Sequence, residues 1–248
     1  MKNILVPCDF SQQARAAYKT ALNFASVSKG KITLLHVLTL PYQYTAAAGC
    51  ELMAYEPVFL TRVEEEAKET LMKMKSEAVG IQVNTEVTFG DLVKTVTGVA
   101  DRDQADVIIM GTSGTSGISE LFIGSNTEKV VRHARVPVLA VKTEMKPTDI
   151  KNILLPSSLS LNQADFMHQV NALQQFLGAT LHVLLINTPT HFRRDNEAIE
   201  SLAEFAKHYR LTNYKTHFRN YINEEEGINC FANTEHMDMI AMATHARK

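Results

Sequence analysis

No apolar run in the chain approaches the roughly 18 residues that a membrane-spanning helix needs, and Asp9 arrives too early for the apolar core of a secretory leader. A cytoplasmic protein is therefore expected. Cysteine is scarce. The three, Cys8, Cys50 and Cys230, are odd in number and lack CxxC spacing, which suits a reducing compartment. Cys8 is expected to be packed and inert, because the negative charge of Asp9 opposes thiolate formation. Excess charge is also missing. A net charge of −2 offers no broad attraction to nucleic acid or to an anionic membrane. The histidines of the second half (His182, His191, His208, His217, His236 and His245) show neither H-x3-H nor His/Cys ligand spacing, so they read as scattered and no metal site is expected. No Ser-His-Asp or Cys-His nucleophile arrangement can be argued from position.

Two nucleotide signatures are absent as well. The first strand, Ile4-Leu5-Val6, runs into Pro7-Cys8-Asp9-Phe10-Ser11 without a glycine, which excludes a G-x-G-x-x-G dinucleotide fingerprint there. No Gly-Lys-Ser/Thr follows a strand, so a P-loop is excluded. An S-G-G-x-D-S loop, which an adenylate-forming or ATP-pyrophosphatase-like enzyme would carry after its first strand, is missing too.

What is present is a repeat. Lys2-Asn3-Ile4-Leu5-Val6-Pro7 returns as Lys151-Asn152-Ile153-Leu154-Leu155-Pro156, and the apolar run around Asp106 is echoed around Asp238. The 248 residues, 45% hydrophobic and 21% charged, are enough for two ordinary globular domains. Lys142, Glu144, Lys146 and Pro147 interrupt the apolar pattern, which predicts domains over 1–144 and 149–248.

In the first repeat Ser11 precedes an apolar face of Ala14, Ala17, Tyr18, Ala21, Leu22 and Ala25, and a second helix is expected from about Pro57 to Val79. A strand alternates Val83, Thr85, Val87 and Phe89, and Asp91 is placed to cap a third helix. A buried strand ends at Met110, a helix follows near Asn126, and a last strand covers Val136 to Val141. An order of βαββαβαβ, or close to it, predicts an α/β fold with a doubly wound parallel sheet of five strands, with the second copy degenerate. The long connector from Pro41 to Glu56 reads equally as a mobile flap at the ligand edge or as a loose loop.

The segment with most chemical content is Met110-Gly111-Thr112-Ser113-Gly114, followed nine residues later by Gly124-Ser125. Glycines at 111, 114 and 124 allow φ > 0 and close approach of a ligand, and a helix start offers free N–H groups, so the segment suits an anion. Ser125-Asn126-Thr127-Glu128 also matches a capping box. A serine hydroxyl can cap the helix and donate to a phosphate at once.

The spacing G-x2-G-x9-G-S, with the strand signatures around Ile4, Leu34 and Ile108, resembles the universal stress protein family over residues 1 to about 144. That resemblance implies an adenine-nucleotide α-hydrolase-like fold and an ATP site formed by Pro7, Cys8, Asp9, Val37, Met110, Gly111, Gly114, Gly124, Ser125 and Asn126. Asp9 would accept from hydroxyls of the adenosine portion, or would instead cap the next helix, and Val37 would act through its backbone. Asp9 and Val37 are expected to end strands that flank the switch point of the sheet. Family loops often read Gly-Thr-His-Gly-Arg, whereas Ser113 and Thr115 stand here, so a loop cation is missing. Magnesium is a reasonable companion for the triphosphate, although the loop identifies no carboxylate ligand. No base is evident, so the implied role is stress response or nucleotide-dependent signalling with at most slow ATP hydrolysis. The alternative is a nucleotide-independent interaction scaffold.

The second repeat has Ser158 for Asp9, Ala243 for Gly111 and Ala246 for Gly114, and the sequence stops at Lys248 before an equivalent of Gly124-Ser125. One site per chain is therefore expected, with a shortened second copy. The strand at Val138 to Val141 would then lack its family partner, and an open apolar edge predicts a homodimer.

Overall fold

The computed structural model describes residues 1–39, 57–112 and 124–244. The expectations placed on the Pro41–Glu56 connector, Cys50, Ser113, Gly114, Thr115, His245 and Ala246 lie outside them. The chain divides into two compact units, Met1–Lys146 and Pro147–Lys248. No helix among the described residues is long and apolar enough to cross a membrane.

The first unit runs β1 (Asn3–Pro7), α1 (Gln12–Ser28), β2 (Lys31–Leu38), α2 (Pro57–Lys75), β3 (Gln82–Phe89), α3 (Leu92–Arg102), β4 (Val107–Gly111), α4 (Ser125–His133) and β5 (Val138–Val141). Helices and strands alternate strictly, with the helix expected from about Pro57 lying between β2 and β3 as α2, so the order is βαβαβαβαβ, one helix more than the βαββαβαβ string. The sheet order is β3-β2-β1-β4-β5 with every pair parallel. Parallel strands need both faces covered, and the sequence meets this with continuous apolar runs: Ile4, Leu5 and Val6 in β1 and Ile108 and Ile109 in β4 are buried. One face packs against α3 and α4 through Leu5, Leu35, Val96, Val99, Ile108 and Val130. On the other, Tyr18 of α1 donates to the Met74 carbonyl of α2 at 3.1 Å. Ser11 caps α1 by accepting from Ala14 N–H, and Asp91 caps α3 by accepting from Lys94 N–H.

The second unit repeats the plan with β6 (Asn152–Pro156), α5 (Ala164–Leu177), β7 (Thr180–Asn187), α6 (Asp195–His208), β8 (Tyr214–Asn220), α7 (Glu224–Thr234) and β9 (Met239–Ile240). Its parallel sheet has the order β8-β7-β6-β9. The repeat extends to single hydrogen bonds. Asp106 accepts from the N–H groups of Lys2 and Asn3, and Asp238 accepts from those of Lys151 and Asn152. Lys31 N–H donates to Lys2 O at 2.7 Å, and Thr180 N–H donates to Lys151 O at 2.7 Å. Leu5 lies opposite Ile108 and Leu154 opposite Ile240, a register that sets Ala243 at the place of Gly111.

Burial, followed by the charges of Glu77 and Cys8, pushes the Tyr18 hydroxyl up to about 12 from an ordinary 10.0. The folded state holds this proton more tightly than the unfolded chain, so the contribution is complete below about pH 10 and is lost as pH rises toward about 12. Tyr18→Phe is expected to flatten the fall in urea stability across that window, followed by circular dichroism. A fall as steep as in the parent protein would refute the assignment.

Candidate functional site

β1 and β4 are neighbours, but the chain leaves β1 toward β2 and β3 on one side and returns to β4 on the other. The switch point therefore lies between β1 and β4, and the strand ends beside it carry Asp9 and Gly111. This corrects the place given to Val37. It sits on β2, paired with Thr88 and half-buried beside the α3–α4 core, one strand away from the crevice.

The loop after β1 is held by three local features. Phe10 adopts φ 65°, a left-handed conformation that costs a non-glycine residue about 1 kcal/mol or more. Its ring stacks on His36 with centroids 4.3 Å apart, and His36 Nδ1 donates to Cys8 O at 2.6 Å. Asp9 Oδ1 accepts from Ser11 N–H at 3.0 Å while the residue stays exposed. Asp9 thus orders the entry to α1 and still presents a carboxylate to solvent. Cys8 is different: its thiol is buried 3.9 Å from the Met74 sulfur, and its N–H donates to Leu35 O. Burial, then the charge of Asp9, raises the Cys8 thiol above its ordinary range. Pro7 pairs with Leu35 and Met110 with Ala140, both as buried strand residues.

Of the three glycines, Gly111 and Gly124 are described, and neither takes the φ > 0 conformation that the spacing allows. Gly111 is not at positive φ, and Gly124 has φ −58° and ψ 147°, a conformation open to any residue. A Cβ on Gly111 would lie 2.4 Å from the carbonyl carbon and oxygen of Gln13, in the first turn of α1. Gly111 is thus a glycine because β4 touches the helix backbone. The second unit shows the consequence. With Pro7 aligned on Pro156, the last residues Ser28 and Leu177 coincide, yet α1 has 17 residues and α5 has 14. The shortfall is at the N-terminus, where Ala243 shares an open cavity with Asn162, Gln163 and Ala164 and no side chain caps α5.

The capping box at Ser125 is also corrected. Ser125 is the first residue of α4 and Gly124 is its N-cap, so among the described residues no side chain caps the helix. Glu128 N–H donates to Gly124 O at 2.9 Å, so the N–H groups ahead of it in the first turn have no carbonyl within the helix. Ser125 and Asn126 are exposed at this end. Thr127, which the sequence reading passed over, is buried and donates its hydroxyl to Gly111 O at 3.0 Å, tying the start of α4 to the end of β4. Its position two residues after Ser125 was the available signal. His36 was missed because an imidazole within a strand signature draws no attention.

The second unit holds one constellation that spacing did not reveal. His182 Nδ1 lies 3.0 Å from His217 Nε2 across β7 and β8, and His182 Nε2 lies 3.2 Å from Asn152 Oδ1. Burial holds both imidazoles below the ordinary range. These two are a pair and not scattered residues.

Residues 1–142 match the model of the universal stress protein family. A universal stress protein of Methanocaldococcus jannaschii is 31% identical over 148 residues, covering 58% of this chain and 84% of the relative. A second from the same organism is 30% identical over 153 residues, covering 57% of this chain and 94% of the relative. The solved structure of a universal stress protein from Archaeoglobus fulgidus has a TM-score of 0.73 at 20% identity, covering 96% of this chain and 85% of that one, a likeness of fold across both units.

Gly111→Ala is expected to cost about 1–3 kcal/mol through overpacking against Gln13 and to speed amide exchange at the start of α1. Gly98→Ala, inside α3 with no atom within 4 Å of the added carbon, is expected to stabilise by about 0.4–1 kcal/mol. Urea unfolding measures both, and equal effects at the two positions would contradict the packing account.

Proposed function

The chain belongs to the universal stress protein family, and from that premise we propose that its first unit binds ATP, with magnesium as companion of the triphosphate. The role is stress response or nucleotide-dependent signalling. The observation that carries the reading is the β1–β4 crevice, where exposed Asp9 stands on one side and the uncapped start of α4 is tethered to β4 on the other. An uncapped helix start gathers free N–H donors and a partial positive charge, which suits phosphate oxygens.

In this reading Asp9 accepts from ribose hydroxyls, and Gly111, Gly114, Gly124, Ser125 and Asn126 hold the phosphates, with Ser125 Oγ free to donate because it caps nothing. Pro7, Cys8 and Met110 frame the pocket as strand ends, Cys8 through its backbone, while Val37 stands one strand away on β2 and would contribute only through its backbone. Bound magnesium would supply charge neutralisation on the phosphates, in place of the basic residue that Ser113 and Thr115 do not provide. No residue is assigned as a general base: His36 is already engaged by Cys8 O and the Phe10 ring. Hydrolysis, where it occurs, is slow. The second unit is silent toward ATP, since Ser158 replaces the carboxylate and Ala243 accompanies a shortened α5. The edge strand β5 is the surface for a homodimer.

Calorimetric titration with ATP and magnesium is expected to give one site per chain, weakened about tenfold or more by Asp9→Ala, the loss of a hydrogen bond to a charged group. Absence of binding by the folded protein at millimolar ATP would leave the interaction scaffold as the function. Sedimentation equilibrium tests the dimer, which a monomer at all accessible concentrations would refute.

A further inference from the structure

At the opposite end of the first sheet, where the strands begin, an open cavity of about 530 Å³ is lined by Lys2, Lys29 and Lys31, by Ala25 and by Gly80 and Gln82. No carboxylate lines it. None of the three lysines makes an ion pair with a described residue. The neighbouring acids lie outside the lining: Asp106 accepts from the backbone of Lys2 and Asn3, and Asp103 is held by Arg102 at 2.8 Å and Thr33 at 3.1 Å and also interacts with the charge of Lys31.

The second unit supplies an internal comparison, because the same corner there is closed. With Pro7 aligned on Pro156, Ala25 corresponds to Gln174, which is buried and donates to Thr212 O at 2.7 Å and Asn213 O at 2.9 Å. By strand register Gln82 corresponds to Asn213, whose side chain donates to Ala179 O at 2.9 Å. Two residues before each stand Gly80, with no atom within 4 Å of a Cβ, and the buried Leu211. The cationic residues change with the filling. Lys2 remains as Lys151, but Lys29 becomes Gly178 and Lys31 becomes Thr180. Lys29 holds the left-handed cap of α1 at φ 55°, a position that favours glycine and has glycine in the second unit at φ 63°. The first unit thus keeps a cation where backbone conformation favours glycine, beside a space that the second unit fills.

We propose that this cavity is a second anion site, separate from the nucleotide crevice, which takes a phosphate-class oxyanion through Lys2, Lys29 and Lys31. Lysine ammonium groups act as point charges toward phosphate, and the lining carries three of them and no carboxylate, with Asp103 beside it already interacting with Lys31. The shared chemistry is a phosphate dianion, either free or carried on a small metabolite.

The test is a titration of ¹⁵N-labelled protein with inorganic phosphate at constant ionic strength, with sodium chloride as the screening control. Amide shifts are expected at 29–31 and 80–82. Lys29→Gly with Lys31→Thr, the residues of the second unit, should weaken binding about tenfold, and Ala25→Gln should do so by filling the space. The surface double variant tests the charges even where the buried glutamine disturbs folding. A parallel titration with glycerol 3-phosphate separates the sources, since tighter binding of the ester indicates a phosphorylated metabolite and tighter binding of phosphate the free ion. ATP affinity should be unchanged in the double variant, so this proposal and the nucleotide reading fail separately. Shifts confined to the β1–β4 crevice, shifts reproduced by chloride, or a double variant that binds as the parent does would overturn it.

Discussion

The backbone contact between Gly111 and Gln13 is the constraint on which the carboxyl end of the first unit's sheet depends. A sheet strand and the first turn of a helix approach so closely that a single methyl has no room. The approach lets α1 begin at Gln12, immediately after the Ser11 cap, and so sets the short loop that presents Asp9. The same glycine's carbonyl receives the Thr127 hydroxyl, which brings the start of α4 to the end of β4. One residue therefore links both walls of the crevice. In the second unit Ala243 stands in the register of Gly111, and the helix that should begin beside it begins late and uncapped.

The fold was legible where local chemistry decides it. Ser11 and Asp91 cap the helices their positions implied, and the apolar runs of β1 and β4 are the buried central strands. The site was legible in outline only. Glycine spacing cannot say whether the approaching partner is a ligand or a neighbouring helix, because that depends on the tertiary path, and at Gly111 the close neighbour is Gln13. Ser125 matched a capping pattern because S-x-x-E cannot distinguish the N-cap from the next position when a glycine precedes it. Val37 was set beside the switch point because strand order is not written in the chain: β4 inserts next to β1 on the side away from β2. His36, Thr127 and the His182–His217 pair depend on contacts between distant strands and helices, which periodicity does not encode.

The two units also separate what the fold requires from what a site requires. The Asp106 and Asp238 clamps, the strand register and the left-handed turn after the first helix recur in both, so they belong to the architecture. Asp9, Gly111 and the α4 start occur in the first unit without counterparts among the described residues of the second. Two of the three lysines around the far cavity follow the same division: Lys29 and Lys31 are present where Ala25 leaves space and are replaced by Gly178 and Thr180 where Gln174 fills it. A carboxylate at one end of the sheet and a cationic pocket at the other give the first unit two chemically distinct ends.

The central claim is that the β1–β4 crevice of the first unit alone accepts an adenine nucleotide. Hydrogen–deuterium exchange with and without ATP and magnesium tests it most directly. The account predicts added protection in the loop from Asp9 to Gln13 and in the first turn of α4, with no change in the Ser157–Ala164 segment of the second unit. Equal protection in both units, or none in either with ATP in excess, would contradict it.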